Sequence, residues 1–350
     1  MNVPHPNPQP TILGIDIGGA NLKYATEDGR SFERSFALWT RHRELSEQLT
    51  TDIGRFDGIR KLAVTMTGEL ADCFAGRADG VRQIVSSVAN CVSATSAETA
   101  FFYGTDGRFH DAESATANWE NVAASNWHAL ARCVGMRLAK NALLVDIGST
   151  TTDVIAICDG EVMTSAATDF QRLSGQSLVY VGCRRTPVCA LVSELQIRGK
   201  HVPVMNEVFS TIDDARLLLG LQQEDCNDLE TADSQPRDRV HAKTRVARMI
   251  GLDSDQISNA ESVELAQQIH SAAVAKIQSA VQRWWSCLNQ SATQTPVVVL
   301  SGHGQDLISP PENVAVMDLR NELSGSLSRG APSWAVAVLA RLEMEVGPVL

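Results

Sequence analysis

Residues Ala142 to Val154 read A-L-L-V-D-I-G-S-T-T-T-D-V, and the reading of this stretch decides how the rest of the chain is understood. Leu143, Leu144 and Val145 form an apolar run long enough for a buried strand and too short for a helix. Asp146 ends the run and Ile147-Gly148 turns the chain. Four hydroxyl residues, Ser149, Thr150, Thr151 and Thr152, then precede Asp153 and a second apolar run from Val154 to Ile157. A strand that delivers a carboxylate into a Gly/Ser/Thr turn and pairs back on itself suits phosphate and metal binding. Glycine lets the backbone approach an anion, free N–H groups and hydroxyls donate to its oxygens, and the carboxylate holds a neutralising cation. The same residues also suit an ordinary Asp-Gly hairpin turn.

Thr11 to Tyr24 reads T-I-L-G-I-D-I-G-G-A-N-L-K-Y, with the same strand, the same D-I-G and a second run. Each copy continues into another hairpin, at Glu27-Asp28-Gly29-Arg30 and at Asp159-Gly160, the latter with a return strand over Glu161 to Ala166. Two copies of strand–Asp-Ile-Gly–turn–strand predict two similar lobes. Each would offer a carboxylate, Asp16 or Asp146, and a phosphate-holding turn to a shared cleft.

Composition sets the bounds. The 350 residues suffice for two domains of ordinary size, and 44% hydrophobic with 20% charged residues is usual for a globular chain. A net charge of −11 offers no basic field for a nucleic-acid backbone, so no nucleic-acid partner is expected. No run approaches the roughly 18 to 20 apolar residues of a membrane span. Residues 1–10, M-N-V-P-H-P-N-P-Q-P, read as a disordered lead-in and not a signal peptide, so a cytoplasmic protein is expected. The eight cysteines lack C-x-x-C spacing and read as buried free thiols. Cys183 and Cys189 flank a basic turn.

In the first lobe, strands are expected at 12–17, 22–26, 31–37 and 62–67, with a helix over about 42–53. The fourth strand runs into T-M-T-G-E-L-A-D (65–72), and strand ends of this kind face the ligand crevice of α/β folds. Glu69 and Asp72 are therefore candidates for cation binding or general-base work, or are solvated turn carboxylates. A helix over 81–91 and a short strand at 101–102 follow. Ser125 or Asn126 is placed to cap a helix beginning near Trp127. Asn118 and Trp119 either line the cleft or pack. In the second lobe, a strand at 178–181 leads to Gly182-Cys183-Arg184-Arg185-Thr186-Pro187. Arg184 and Arg185 either grip a phosphoryl or carboxylate oxygen pair or sit inert on the surface. Helices are expected over 213–221, 241–249, 263–288 and 333–345, and strands at 296–300 and 314–317. The polar segment 222–239 reads as a lid or as a solvated connection. Ser301-Gly302-His303-Gly304 reads as a third glycine turn.

Three strands ending in D-I-G-G, D-I-G-S-T and S-G-H-G resemble the sugar-kinase, Hsp70 and actin superfamily. The chain looks like its hydantoinase A/oxoprolinase-like branch, close to the proteins of methanofuran and tetrahydromethanopterin-linked one-carbon metabolism. The matching stretches are D-I-G-G-A-N-L-K (16–23), T-M-T-G-E-L-A-D-C-F (65–74), A-N-W (117–119), D-I-G-S-T-T-T-D-V (146–154), Y-V-G-C-R-R-T-P-V (180–188) and T-R-V-A-R-M (244–249). The resemblance implies an α/β fold of two ribonuclease-H-like lobes around a cleft, residues 11–140 and 141–350, with an insertion at about 170–250. It also implies a closing helix that packs back on the first lobe.

For function it implies a transferase joining an aminomethylfuran diphosphate to the phenol of a γ-glutamyltyramine and releasing diphosphate. Asp16 and Asp146 would then hold Mg²⁺. Gly18, Gly19, Asn21, Gly148, Ser149, Thr150, Thr151, Thr152, Arg184, Gly302, His303 and Gly304 would contact phosphate, with Lys23 or Arg185 neutralising charge. Glu69 would be the base for the phenol. The alternatives are an ATP-dependent kinase or hydrolase with Asp153 or Glu69 as base, and an ATP-gated binding protein. One departure stands out: 231–237 is T-A-D-S-Q-P-R, where the resemblance leads one to expect glycine after the aspartate.

Overall fold

A computed structural model describes residues 11–323 and 325–346; the Pro-rich lead-in lies outside them. Two mixed sheets form the frame. The first contains β1 (Thr11–Ile17), β2 (Asn21–Thr26), β3 (Ser31–Ser35), β4 (Ile59–Met66), β5 (Thr99–Tyr103) and β6 (Phe109–His110), in the order β3-β2-β1-β4-β5-β6. The second contains β7 (Ala142–Ile147), β8 (Thr152–Cys158), β9 (Glu161–Val162), β10 (Leu178–Val179), β13 (Val297–Gly302) and β14 (Val316–Asp318). Its order is β10-β8-β7-β13-β14, with β9 beside β8. A separate hairpin joins β11 (Glu194–Ile197) and β12 (Lys200–Pro203).

The two sheets repeat one design. β1 pairs antiparallel with β2 and parallel with β4, while β7 pairs antiparallel with β8 and parallel with β13. The central strands are buried on both faces, which is why their sequences are continuous apolar runs without alternation.

Between the sheets lies a core that belongs to both. The helices Asn126–Arg137 and Ala331–Val346 bury Leu130, Val134, Val336 and Leu339 against Ile12 and Ala63 of the first sheet and Leu144, Ile155 and Val299 of the second. The closing helix reaches the middle of the first sheet, where a Cβ on Gly14 would stand 1.8 Å from the Ser333 carbonyl oxygen. Outer cores complete the layers. Helices Leu45–Ile53 and Arg77–Ala94 cover the first sheet, and the 33-residue helix Asn259–Ser291 covers the second.

Several elements differ from the sequence reading. The return strand over Glu161–Ala166 shrinks to Glu161–Val162: Met163 N–H still reaches the Ala156 carbonyl at 2.9 Å, but further on Ala166 N–H is taken by the Thr164 hydroxyl and Ala167 N–H by Gln171 of a capping box. Ser125 is the N-cap residue, yet its hydroxyl meets Thr65 at 2.8 Å while Asn126 accepts from Trp127 N–H. The polar segment 222–239 is anchored from beneath, since buried Arg237 and Arg245 pair with Asp213 and Asp214. All eight cysteines are free, but only Cys91, Cys133 and Cys183 are buried, and Cys226 and Cys287 are exposed. No helix among the described residues is long and apolar enough to cross a membrane.

Candidate active site

The two Asp-Ile-Gly turns are built alike and face one cleft of about 540 Å³. Gly18 N–H donates to the Asn21 carbonyl at 3.0 Å, and Gly148 N–H to that of Thr151 at 2.9 Å. Each turn is held from the neighbouring parallel strand as well: Thr67 N–H reaches the Ile17 carbonyl at 3.0 Å, and His303 N–H that of Ile147 at 2.9 Å. Closing the turns this way leaves the N–H groups of Gly19, Ala20, Ser149 and Thr150 without a hydrogen-bond acceptor among the described residues, on the cleft lining. A pair of such backbone concavities is suited to an anion's oxygens.

The carboxylates differ in their partners. In strand register Asp16 lies opposite Lys23, whereas Asp146 lies opposite Asp153. Burial raises the Asp16 pKa, with Lys23 and the Asn126 side chain opposing, and its Oδ1 has no hydrogen-bond partner. Asp146 is pushed up to about 6, by burial first and then by the Asp153 charge. Asp153 is itself raised by burial, against the pull of an ion pair with Arg172. The Arg172 side chain is almost wholly buried, and its guanidinium lies 4.1 Å from the centroid of the Trp127 ring.

No group of three or more metal-ligating side chains occurs among the described residues. The two turn carboxylates, one with a bare buried oxygen, still fit Mg²⁺, which is commonly held by one or two carboxylates together with substrate phosphates.

Glu69 sits in the 3₁₀ turn Gly68–Leu70 that follows β4. Glu69 lies on the cleft lining, yet the residue is 1% exposed, and both carboxylate oxygens are buried without a side-chain hydrogen-bond partner. Burial pushes its pKa up to about 7, against the pull of its own backbone amide, with the Asp169 charge adding and Arg77 and the Ala124 amide opposing. The turn lies tight on the helix behind it, where a Cβ on Gly80 would stand 2.3 Å from the Glu69 carbonyl oxygen. A buried carboxyl with a pKa raised toward neutrality and no side-chain partner is equipped for acid–base work.

The structure gathers Asp16, Gly18, Gly19, Asn21, Lys23, Glu69, Asp72, Asp146, Gly148, Ser149, Thr150, Thr151, Asp153 and Arg185 around this cleft. Other expected residues lie outside its lining. Thr152 is fully buried and donates to the Val181 carbonyl at 2.7 Å. Arg184 turns away to Asp228 at 2.6 Å. The third glycine turn is a support and not a wall: a Cβ on Gly302 would stand 2.2 Å from the Ile147 carbonyl oxygen, and one on Gly304 2.4 Å from the Ile147 side chain. Its glycines allow close approach to the Asp146 turn, and His303 holds that turn through its amide. Asn118 bonds within its own helix and Trp119 packs on the first-lobe core.

Sequence reasoning missed Trp39, Thr67, Asp169, Arg172 and Tyr180 on the lining, and gave Asn126 only a capping role. Asp169 is held by Arg77 of the first lobe at 2.7 Å. Thr67 and Tyr180 lie within the matching stretches 65–74 and 180–188; Trp39, Asp169 and Arg172 carry no such motif, although the capping box at Thr168 marks the helix that presents Asp169 and Arg172.

Comparison with known proteins places this geometry in context. Residues 60–316 match the family model described as hydantoinase/oxoprolinase. A protein of Methanocaldococcus jannaschii, (4-{4-[2-(gamma-L-glutamylamino)ethyl]phenoxymethyl}furan-2-yl)methanamine synthase, is 30% identical over 95% of this chain and 98% of its own length. A Methanococcus vannielii protein of the same name is 27% identical over 61% of this chain and 97% of its own. Among solved structures, nucleotide-free acetone carboxylase aligns with a TM-score of 0.50 at 12% identity, over 93% of this chain and 70% of the other. That likeness supports the expected two-lobed α/β fold of the actin and sugar-kinase type.

Proposed function

The chain belongs to the hydantoinase/oxoprolinase family, and from that premise we propose that it is a diphosphate-releasing transferase of methanofuran-type cofactor biosynthesis. It condenses an aminomethylfuran diphosphate with the phenol of a γ-glutamyltyramine, within tetrahydromethanopterin-linked one-carbon metabolism. The names of the two synthase relatives describe a product of this connectivity, in which a phenoxymethyl ether joins a γ-glutamylaminoethyl phenol to a furan methanamine.

In this reaction the phenol oxygen forms a bond to the furan-bearing CH₂ carbon. The carbon–oxygen bond to diphosphate breaks, and diphosphate leaves with the electron pair. Glu69 takes the phenol proton. The amides of Gly19, Ala20, Ser149 and Thr150 and the Lys23 ammonium receive the negative charge that grows on the departing oxygens. Mg²⁺ held by Asp16 and Asp146 would neutralise further charge on the diphosphate.

The observation that carries this reading is Glu69, a buried carboxyl without a side-chain partner, its pKa pushed up to about 7, on the same cleft as two anion-binding turns. A base of that strength is matched to a phenol, whose ordinary pKa is about 10, during transfer at neutral pH. The test is diphosphate release from an aminomethylfuran diphosphate in the presence of Mg²⁺. Release that requires the phenol and yields the ether is expected. Hydrolysis of ATP with no ether formed would overturn the reading in favour of an ATP-dependent enzyme.

A further inference from the structure

Arg185 stands apart among the arginines near the cleft. Arg77 is held by Asp169, Arg172 by Asp153, and Arg184 by Asp228. The Arg185 side chain makes no ion pair or hydrogen bond to the described residues, and its guanidinium carbon lies 5.6 Å from the centroid of the Trp39 ring. The contact crosses the cleft, and each partner is tied to one of the anion-binding turns. Leu38 N–H donates to the Gly19 carbonyl and Arg185 N–H to that of Ser149, both at 2.9 Å. Around the pair are side chains of a kind that usually hides: Trp39 is 41% exposed, Leu70 52% and Tyr180 62%, and all three line the cleft.

Resting on the transferase reading above, we propose that this rim is the subsite for the phenol acceptor. The acceptor's aromatic ring lies against Trp39 and Tyr180, and its amino-acid carboxylate ends on Arg185. A guanidinium lying over an indole face at this distance keeps its N–H groups free, and these form the fork that a carboxylate fits. The diphosphate is already served deeper in the cleft by the turn amides and Lys23. A planar ring in water gains most from exposed aromatic and aliphatic walls, and those walls are gathered on this rim. Arg185 is thus a specificity-determining residue that selects a phenol bearing a γ-glutamyl group over a bare tyramine.

The test is calorimetric binding to the full chain, with no furan present, using γ-glutamyltyramine, tyramine and inorganic diphosphate as probes. The wild type is expected to bind γ-glutamyltyramine more tightly than tyramine. Arg185→Met should cut that preference by roughly tenfold or more, the range of a lost charge-assisted pair, with Arg185→Lys in between. Trp39→Ala should weaken both acceptors together, since it removes a wall for the shared ring. The proposal is overturned if the wild type does not prefer the γ-glutamyl compound. It is equally overturned if Arg185→Met loses diphosphate affinity and leaves the acceptor preference intact. Because no turnover is read, failure here is separate from failure of the transferase reading, which ether formation alone decides.

Discussion

The turns at Asp16 and Asp146 share a backbone and differ in chemistry. Both are closed by the same glycine amide and held by the same bond from the next parallel strand. Opposite Asp16 stands Lys23, a cation with no ion-pair partner among the described residues; opposite Asp146 stands a second carboxylate, Asp153, which a buried arginine must compensate. The parallel strands behind them diverge too. β4 ends in a 3₁₀ turn that carries Glu69 into the cleft, whereas β13 leads to a 3₁₀ turn over Gln305–Leu307, where Gln305 bonds Asp318 and Asp306 pairs with buried Arg216. A repeated frame therefore sets where charges stand, and the residues placed on it decide which lobe offers the groups proposed for catalysis.

The most severe test of this comparison is Asp146→Asn. Turnover should fall roughly a thousandfold or more if the second-lobe carboxylate shares a cation with Asp16. The fold should persist, since the change relieves the repulsion between Asp146 and Asp153; near-normal turnover, with circular dichroism unchanged, would break the two-carboxylate idea. Glu69→Gln probes the first lobe. It should cost at least about a hundredfold in turnover while keeping diphosphate affinity, and equal loss of both would make Glu69 a ligand-holding residue.

The sign of the pH dependence follows from the raised pKa of Glu69. As a base it is active when ionised, so wild-type kcat/KM should climb with pH and level off above about 7. Stability runs the other way. A carboxyl whose folded pKa exceeds its unfolded value of about 4.5 favours the native state at low pH, and that contribution is lost as pH rises from about 4.5 through 7. Urea titration at pH 8 should accordingly find Glu69→Gln more stable than wild type, and the gap should close at pH 4.

The two cations of the comparison should separate cleanly. Arg172→Met leaves Asp153 buried without its partner and should cost about 3–5 kcal/mol of unfolding free energy. Lys23 favours ionised Asp16 by charge but makes no ion pair, so Lys23→Met should cost clearly less stability than that and weaken diphosphate binding roughly tenfold. Similar losses of stability from both would mean that Lys23 too is structural.

The smallest effect lies in the second lobe's long segment between β10 and β13. Ser234, where glycine is expected after Asp233, holds a left-handed φ of 56°. The loop keeps the backbone that glycine favours, and Asp233 uses it to reach Arg245 at 3.0 Å. Ser234→Gly should therefore stabilise the chain by about 1 kcal/mol, read as a rise in the thermal midpoint.

How much was legible in the sequence depends on the range of the interactions involved. The apolar runs before Asp16 and Asp146, the glycine turns and the repeat of both halves are local patterns, and the sheets follow them. Glu69 was visible because it sits on a strand end inside a distinctive motif. Arg184 and Arg185 were indistinguishable, since nothing local says that the first meets Asp228 while the second crosses to Trp39. S-G-H-G read as a ligand turn because glycine permits close approach to anything; here the neighbour is the Asp146 turn itself.

The strands, the two carboxylate turns and the duplicated plan are readable along the chain, because period, run length and turn chemistry act between residues close in sequence. What those groups became depends on the folded molecule. Burial from distant elements lifts Glu69 to near neutrality. The partner across each strand makes one aspartate face a cation and the other a carboxylate. A core shared by both sheets brings the halves together, so that side chains remote in sequence wall a single cleft. Desolvation and charge proximity depend on three-dimensional distance, and no local pattern in the chain encodes that distance.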